Sequence, residues 1–381
     1  MKDVIKDFRF GFPTELEYGV GKIDVLGEKL YDFDKALVVT DKGIEKSGIF
    51  DKVNSKLWDL DLQIYSDIES NPKDFQVEKG AEIARDFDPE VIIALGGGSP
   101  IDCAKGIGVL VSEGEDDIEN YYGSETVKRE TLPFIAIPTT AGTGSEVTFS
   151  SVITDSDSYL KKSIRSPFIA PDMSILDPEL TTSLPEDLTA YTGMDAFTHA
   201  VEAYTAKTAN PFSNSLALYS MELILKNIEK AVEEPDDLET RGAMLLGSTM
   251  GGVAFNNSDV ASVHCMAESL GGRYDAPHGL CNSIILPYIM DYNREYCTDK
   301  YARVADLMDI EFEDNEEGAK RAVTEIKKLN QNMDMPGIDK IGFKESDIED
   351  LAEMSADNLS NESNPRPMDK EDYEILFEKI S

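Results

Sequence analysis

Four short runs constrain the fold more than anything else in the chain: KALVVT (35–40), VIIALG (91–96), PFIAIP (133–138) and MSILD (173–177). Each is apolar at successive positions, so a strand made from it needs cover on both faces, and helical stretches lie between the runs. The alternation predicts an α/β domain over residues 1–182, built on a parallel sheet with helices on both sides. After DPELTTSLPED (177–187), a loop with two prolines and helix-start residues, the pattern becomes a 3.6-residue period. FSNSLALYSMELILKNIEKAVEE and NREYCTDKYARVADLM read as long amphipathic helices, and residues 183–381 are expected to form an all-helical second domain. A length of 381 residues suits two domains.

The formal net charge of −38 would repel phosphate backbones and anionic lipid surfaces, which excludes nucleic acid and membranes as expected partners. The acidity is spread along the chain, as on a surface kept soluble in concentrated salt, although lysine remains plentiful. Four cysteines without a CxxC pair fit reduced thiols. The opening MKDVIKDFRFGF has no apolar signal core and no apolar run nears membrane-spanning length, so a soluble cytoplasmic protein is expected.

Two loops carry the marks of a dinucleotide site. VIIALGGGSPIDCAKGIG runs from a buried strand through Gly96, Gly97, Gly98 and Ser99 into a helix. Glycines admit a ligand close to the backbone, and the helix start offers free N–H groups and a positive dipole end to a pyrophosphate. The pattern is not GxGxxG, and a strand followed by GGGS is often only a tight turn. IPTTAGTGSEVT (137–148) also follows a buried strand and offers the hydroxyls of Thr139, Thr140, Thr143, Ser145 and Thr148. Loops at the C-terminal ends of neighbouring strands face one crevice in open α/β sheets. Asp41, at the end of KALVVT, stands where a carboxylate takes a ribose 2′-hydroxyl and repels a 2′-phosphate, favouring NAD while leaving NADP open.

The chain has three histidines, and their placement points to a metal. Asp195 and His199 are four residues apart in GMDAFTHAVEAY, on one face of a helix. His264 and His278 share VHCMAESLGGRYDAPHG, where Gly279 lets the backbone bring His278 close. One carboxylate with three neutral imidazoles suits Fe²⁺, Zn²⁺, Mn²⁺ or Co²⁺.

GGGSPIDCAK, PTTAGTGSEVT, DPEL, TGMDAFTHAVEAY and VHCMAESLGGRYDAPHG together make the chain resemble the iron-containing (type III) alcohol dehydrogenase family over nearly its whole length. The resemblance implies a nucleotide-binding α/β domain, an all-helical domain and catalysis in a cleft between them. It implies Asp195, His199, His264 and His278 as metal ligands. It implies cofactor contacts from Asp41, Asn71, Gly97, Gly98, Ser99, Asp102, Thr139, Thr140, Thr143, Thr148 and Lys161, with Lys162 able to replace the last. It also implies a homo-oligomer, a dimer or larger. The family usually carries a histidine four residues after the third ligand; here that residue is Glu268, expected to accept a proton or tune the metal from behind its ligands.

The reaction expected is hydride transfer between a small primary alcohol, or its aldehyde or ketone, and NAD, on a divalent ion with iron foremost and manganese or zinc as alternatives. Glu268 and His278 are the residues assigned to catalysis, and Phe255 and Asn256 are candidates to line the substrate side. Same-scaffold enzymes of dehydroquinate synthase or glycerol dehydrogenase type are the nearest rivals. The former use more basic phosphate-binding side chains than the single Arg273 near His264 and His278. A metal-dependent hydrolase would not need two nucleotide loops, and a nucleotide-binding module would not need four clustered ligands.

Overall fold

Every one of the four apolar runs is a strand, and together they form the middle of one sheet. The structure is a computed structural model that describes residues 7–158 and 160–381. The strands of the main sheet are β1 (Glu15–Tyr18), β2 (Lys35–Val39), β3 (Asp61–Tyr65), β4 (Val91–Gly96), β6 (Phe134–Pro138) and β9 (Met173–Leu176). Their order is β1-β9-β6-β4-β2-β3, and all pairings are parallel. A smaller sheet holds β5 (Gly123–Ser124), β8 (Lys161–Arg165) and β7 (Ser150–Thr154), with β7 and β8 antiparallel.

The period of two along the central strands divides the core. Leu37, Val39, Ile92, Ala94, Phe134 and Ala136 face helices α4 (Asp74–Phe87) and α5 (Gly98–Glu113). Ala36, Val38, Ile93, Leu95, Ile135 and Ile137 pack on the opposite side with Leu26 of α1 (Leu26–Lys29) and Ile49 and Val53 of α3 (Ile49–Asn54). A buried parallel sheet needs this double cover, because no side of a strand apolar at every position can face water. Between β2 and α3 runs a short helix, α2 (Lys42–Ser47).

The helical part comprises α6 (Glu186–Thr205), α7 (Pro211–Glu233), α8 (Leu238–Asn256), α9 (Ser262–Tyr274), α10 (His278–Asn293), α11 (Thr298–Leu307), α12 (Asn315–Asn332), α13 (Ile348–Ala356) and α14 (Lys370–Ile380). Among the described residues no helix is long and apolar enough to cross a membrane. NREYCTDKYARVADLM is not one helix: α10 ends at Asn293 and α11 begins at Thr298. Asn293 is buried in a reciprocal amide pair with Asn364, at 2.8 and 3.0 Å, and its carbonyl closes a turn with the N–H groups of Tyr296 and Cys297.

The chain divides into two compact units, and neither is a single stretch. The α/β unit is Phe12–Leu184 with Asp236–Leu245; the helical unit takes the segment up to Gly11, Pro185–Pro235 and Leu246–Ser381. The expected boundary at 182/183 lies beside the Leu184/Pro185 junction of this division, and two further segments cross it. The early segment joins the helical unit because Gly11 and Asn257 exchange two hydrogen bonds, of 2.7 and 3.0 Å, and the rings of Phe8 and Phe10 pack at a tilt against Phe212. Asp236–Leu245 joins the α/β unit because Gly242 lies against Tyr18 and Pro178.

Candidate active site

In the helical unit the metal ligands foreseen from sequence meet. Asp195 and His199 lie one turn apart on α6, both buried, and His264 comes from the first turn of α9. One ligand atom from each of these three lies within 4.8 Å of the others. His278, the first residue of α10, brings its Nε2 to 3.7 Å from Asp195 Oδ1. The other two separations from Asp195 oxygens are 3.9 Å, to His199 Nδ1 and to His264 Nε2. Two ligand atoms of a tetrahedral ion bonded at about 2.1 Å stand about 3.4 Å apart, so the donor set fits a borderline divalent ion in both spacing and chemistry.

Gly279 makes this approach possible. A Cβ there would sit 2.2 Å from the carbonyl oxygen of Tyr191 on α6 and 3.2 Å from Asp195 Cβ. Only a bare Cα lets the start of α10 lie on the backbone of α6, which carries His278 to Asp195. His278 is also the most exposed ligand, at 24% of its side chain against 3–7% for the others. The ring of Phe255 stacks on His199 at 4.4 Å between centroids.

Glu202 was not anticipated, though its place was legible: it lies three residues after His199 and seven after Asp195 on α6. Its buried carboxylate accepts from the N–H groups of Ala261 and Val263, at 2.9 and 2.7 Å, and meets His264 Nδ1 at 2.6 Å. A carboxylate on Nδ1 leaves Nε2 as the lone-pair nitrogen, turned toward Asp195. Burial alone would lower the His264 pKa, but the hydrogen bond and charge of Glu202 outweigh it and hold it above the ordinary value. Burial would likewise raise Asp195, yet the three imidazoles around it keep its carboxyl below the usual range. Asn282, also unforeseen, donates to Asp195 Oδ1 at 2.6 Å.

Glu268 is one turn beyond His264 on α9, and its carboxylate accepts from Asn358 Nδ2 at 2.6 Å. Its charge adds to the upward pull on His264.

In the α/β unit the two loops pack on each other. Gly97 precedes α5 and Gly98 opens it; a Cβ on Gly97 would lie 3.2 Å from Thr140 Oγ1, and one on Gly98 would lie 2.6 Å from Thr143 Cγ2. Ser99 donates its hydroxyl to the Ser70 carbonyl, next to the buried Asn71, and the Thr139 N–H bonds the Gly96 carbonyl at 3.0 Å. Asp41 caps α2 through Gly43 and Ile44, and its other oxygen stands 3.4 Å from where a Gly96 Cβ would be. Lys42 beside it is paired with Asp67 at 2.8 Å.

Beneath the loops is a residue that sequence inspection passed over. Lys105 of α5 is fully buried and donates to the Ser145 carbonyl and hydroxyl, the Thr148 hydroxyl and the Ser150 carbonyl, at 2.7–2.9 Å. Burial pulls its pKa down to about 8. Asp102 and Thr148, expected at the cofactor, belong to this network: Asp102 accepts from the Ser145 hydroxyl at 2.5 Å and the Val152 N–H at 3.0 Å. An acid-containing helix turn, GGGSPIDCAK, in which the lysine follows the aspartate by three residues, was the available signal. Lys161 opens β8 opposite Thr154, whereas Lys162 is committed to Asp155 and lies over the Tyr122 ring.

Residues 13–178 match the family described as iron-containing alcohol dehydrogenase, and residues 189–381 match the C-terminal part of the Fe-containing alcohol dehydrogenase family. The chain is similar to a 1,3-propanediol dehydrogenase of Klebsiella pneumoniae, 38% identical with 97% of this chain and 98% of that protein covered. It is 36% identical to an NAD-dependent methanol dehydrogenase of Bacillus methanolicus, covering 94% of this chain and 95% of that one. The solved alcohol dehydrogenase from Oenococcus oeni superposes with a TM-score of 0.95 at 35% identity, covering 98% and 100% of the two chains.

Proposed function

We propose a reaction for this chain, which belongs to the iron-containing alcohol dehydrogenase family: the interconversion of a small primary alcohol and its aldehyde, with NAD as hydride carrier. Membership makes the chain a metal-dependent oxidoreductase acting on alcohols with a nicotinamide cofactor. Asp195, His199, His264 and His278 would hold the divalent ion, iron foremost. When bound, that ion supplies Lewis-acid polarisation of the substrate oxygen. Glu202 keeps the His264 lone pair turned inward, and Asp195 supplies the single negative charge among the ligands. The exposed side of His278 is the side from which substrate enters, with Phe255 as an apolar wall that favours short carbon chains.

The glycine turn and the threonine loop take the cofactor's pyrophosphate, with Asn71, Ser99, Thr139, Thr140, Thr143 and Lys161 around them. Asp41 faces the glycine turn, and Lys42 is drawn off by Asp67, so a 2′-phosphate meets a negative charge with no free partner beside it. NAD is therefore favoured, and Asp41→Ala raises kcat/KM with NADP at least about tenfold relative to NAD. Glu268, held by Asn358, is the group that accepts the alcohol proton or tunes the metal from behind its ligands; Glu268→Gln is expected to lower turnover at least about tenfold, and unchanged turnover across pH excludes the proton-accepting role. The four buried cysteines, none of them in a disulfide, support a reducing cytoplasmic setting, and the acid surface supports adaptation to salt. A homo-oligomer, dimeric or larger, completes the reading.

The convergence of one carboxylate and three imidazoles, enforced by Gly279, carries this function. Dialysis against a chelator should abolish NADH formation from ethanol or 1-butanol, and Fe²⁺ should restore it. Turnover that survives chelation rules the reading out.

A further inference from the structure

Asn282 lies one turn after His278 on α10 and is completely buried. Its Nδ2 is 2.6 Å from Asp195 Oδ1, 3.3 Å from His264 Nε2 and 3.2 Å from His278 Nε2. One amide nitrogen thus touches three of the four residues that would hold the ion. Its orientation is not interchangeable: an amide turned the other way would set two acceptor oxygens 2.6 Å apart, so Asp195 requires the N–H side. The consequence is visible at the other end, where the buried Oδ1 accepts no hydrogen bond among the described residues. The fold leaves a buried carbonyl unsatisfied in order to direct the amide hydrogens at the ligands.

We propose that Asn282 is a positioning residue that pre-arranges the metal ligands, an inference that rests on the metal-site reading above. An amide carries two hydrogens: one is committed to Asp195, and the other faces the Nε2 lone pair of His264, whose tautomer Glu202 fixes from Nδ1, while His278 Nε2 lies at a similar distance from the same nitrogen. The contacts differ in permanence. An imidazole Nε2 has one lone pair, so the two longer contacts yield to an ion. A carboxylate oxygen has more than one, so the bond to Asp195 persists and continues to fix that carboxylate.

Wild type, Asn282→Leu, Asn282→Ser and Asp195→Ala are titrated with Co²⁺ against a chromophoric chelator, and the visible spectrum of each cobalt form is recorded. Loss of cobalt binding in Asp195→Ala with retention in wild type upholds the metal site; equal binding by those two removes the site and this inference with it. Given the site, Asn282→Leu should bind Co²⁺ about 10- to 100-fold more weakly with altered ligand-field bands, and Asn282→Ser should fall between. NAD affinity should stay at the wild-type level. Wild-type affinity and spectrum in Asn282→Leu overturn the proposal, and if that variant does not fold, wild-type values in Asn282→Ser do the same.

Discussion

At the scale of single residues, the proposed site is built so that Asp195 and His264 each have one side for an ion and one held by the protein, through Asn282 and Glu202. Glu202 is the sharpest case, since it serves His264 and two backbone N–H groups at once. Glu202→Gln keeps an oxygen for the backbone but removes the charge behind the imidazole. Metal affinity should fall about 10- to 100-fold, measured by chelator competition, with helix content unchanged by circular dichroism. Lys105 makes a pH prediction. Its folded pKa of about 8 is below its ordinary 10.5, so between these values the unfolded chain binds more protons than the folded one. The cost of burying its charge is therefore present in full below pH 8 and is relieved as pH rises toward 10.5. The stability difference between wild type and Lys105→Met, from denaturant titrations at several pH values, should move in favour of wild type across that window.

At the scale of elements, two close approaches replace long side chains as organising devices. Gly98→Ala would place a methyl group 2.6 Å from Thr143 Cγ2 and push the loops apart. The expected cost is about 1–3 kcal/mol of stability with at least about tenfold weaker NAD binding, while metal content stays at the wild-type level. Calorimetric titration with NAD and metal analysis of the same sample check both halves. The central strands were legible because burial on both faces writes itself as uninterrupted apolar residues, as in VIIALG. Edge strands carry no such mark. In β1, Glu15 and Glu17 take part in ion pairs with Lys29 and Lys22, and β3 begins with the exposed Asp61. KKSIR of β8 was invisible as a strand although it lies between β5 and β7, because its partial exposure allows charge along most of its length. The candidate ligands stood out because histidine is scarce here and few other roles compete for it. Glu202, Asn282 and Lys105 were passed over, Glu202 despite its helical spacing from Asp195 and His199, because glutamate, asparagine and lysine are common and burial is what singles these three out.

At the scale of the whole molecule, charge sets the conditions of use. With a formal net charge of −38, like charges crowd the surface, and about 1 M salt shortens the screening length to about 3 Å. The melting temperature should rise by about 5 °C between low salt and about 1 M KCl, read by scanning calorimetry; a flat or falling curve would mean that repulsion is not what limits stability. The interrupted make-up of the two units has a further consequence for anyone wishing to dissect or recombine the protein. A gene fragment ending at residue 182 would carry Phe8 and Phe10 without Phe212, and would lack Asp236–Leu245. The complementary fragment would hold every proposed metal ligand but would lose the Gly11 clasp on Asn257. Exchange of halves between relatives at that point would leave both recipients with mismatched seams, whereas transplanting the three helical-unit segments as a set would keep each core intact.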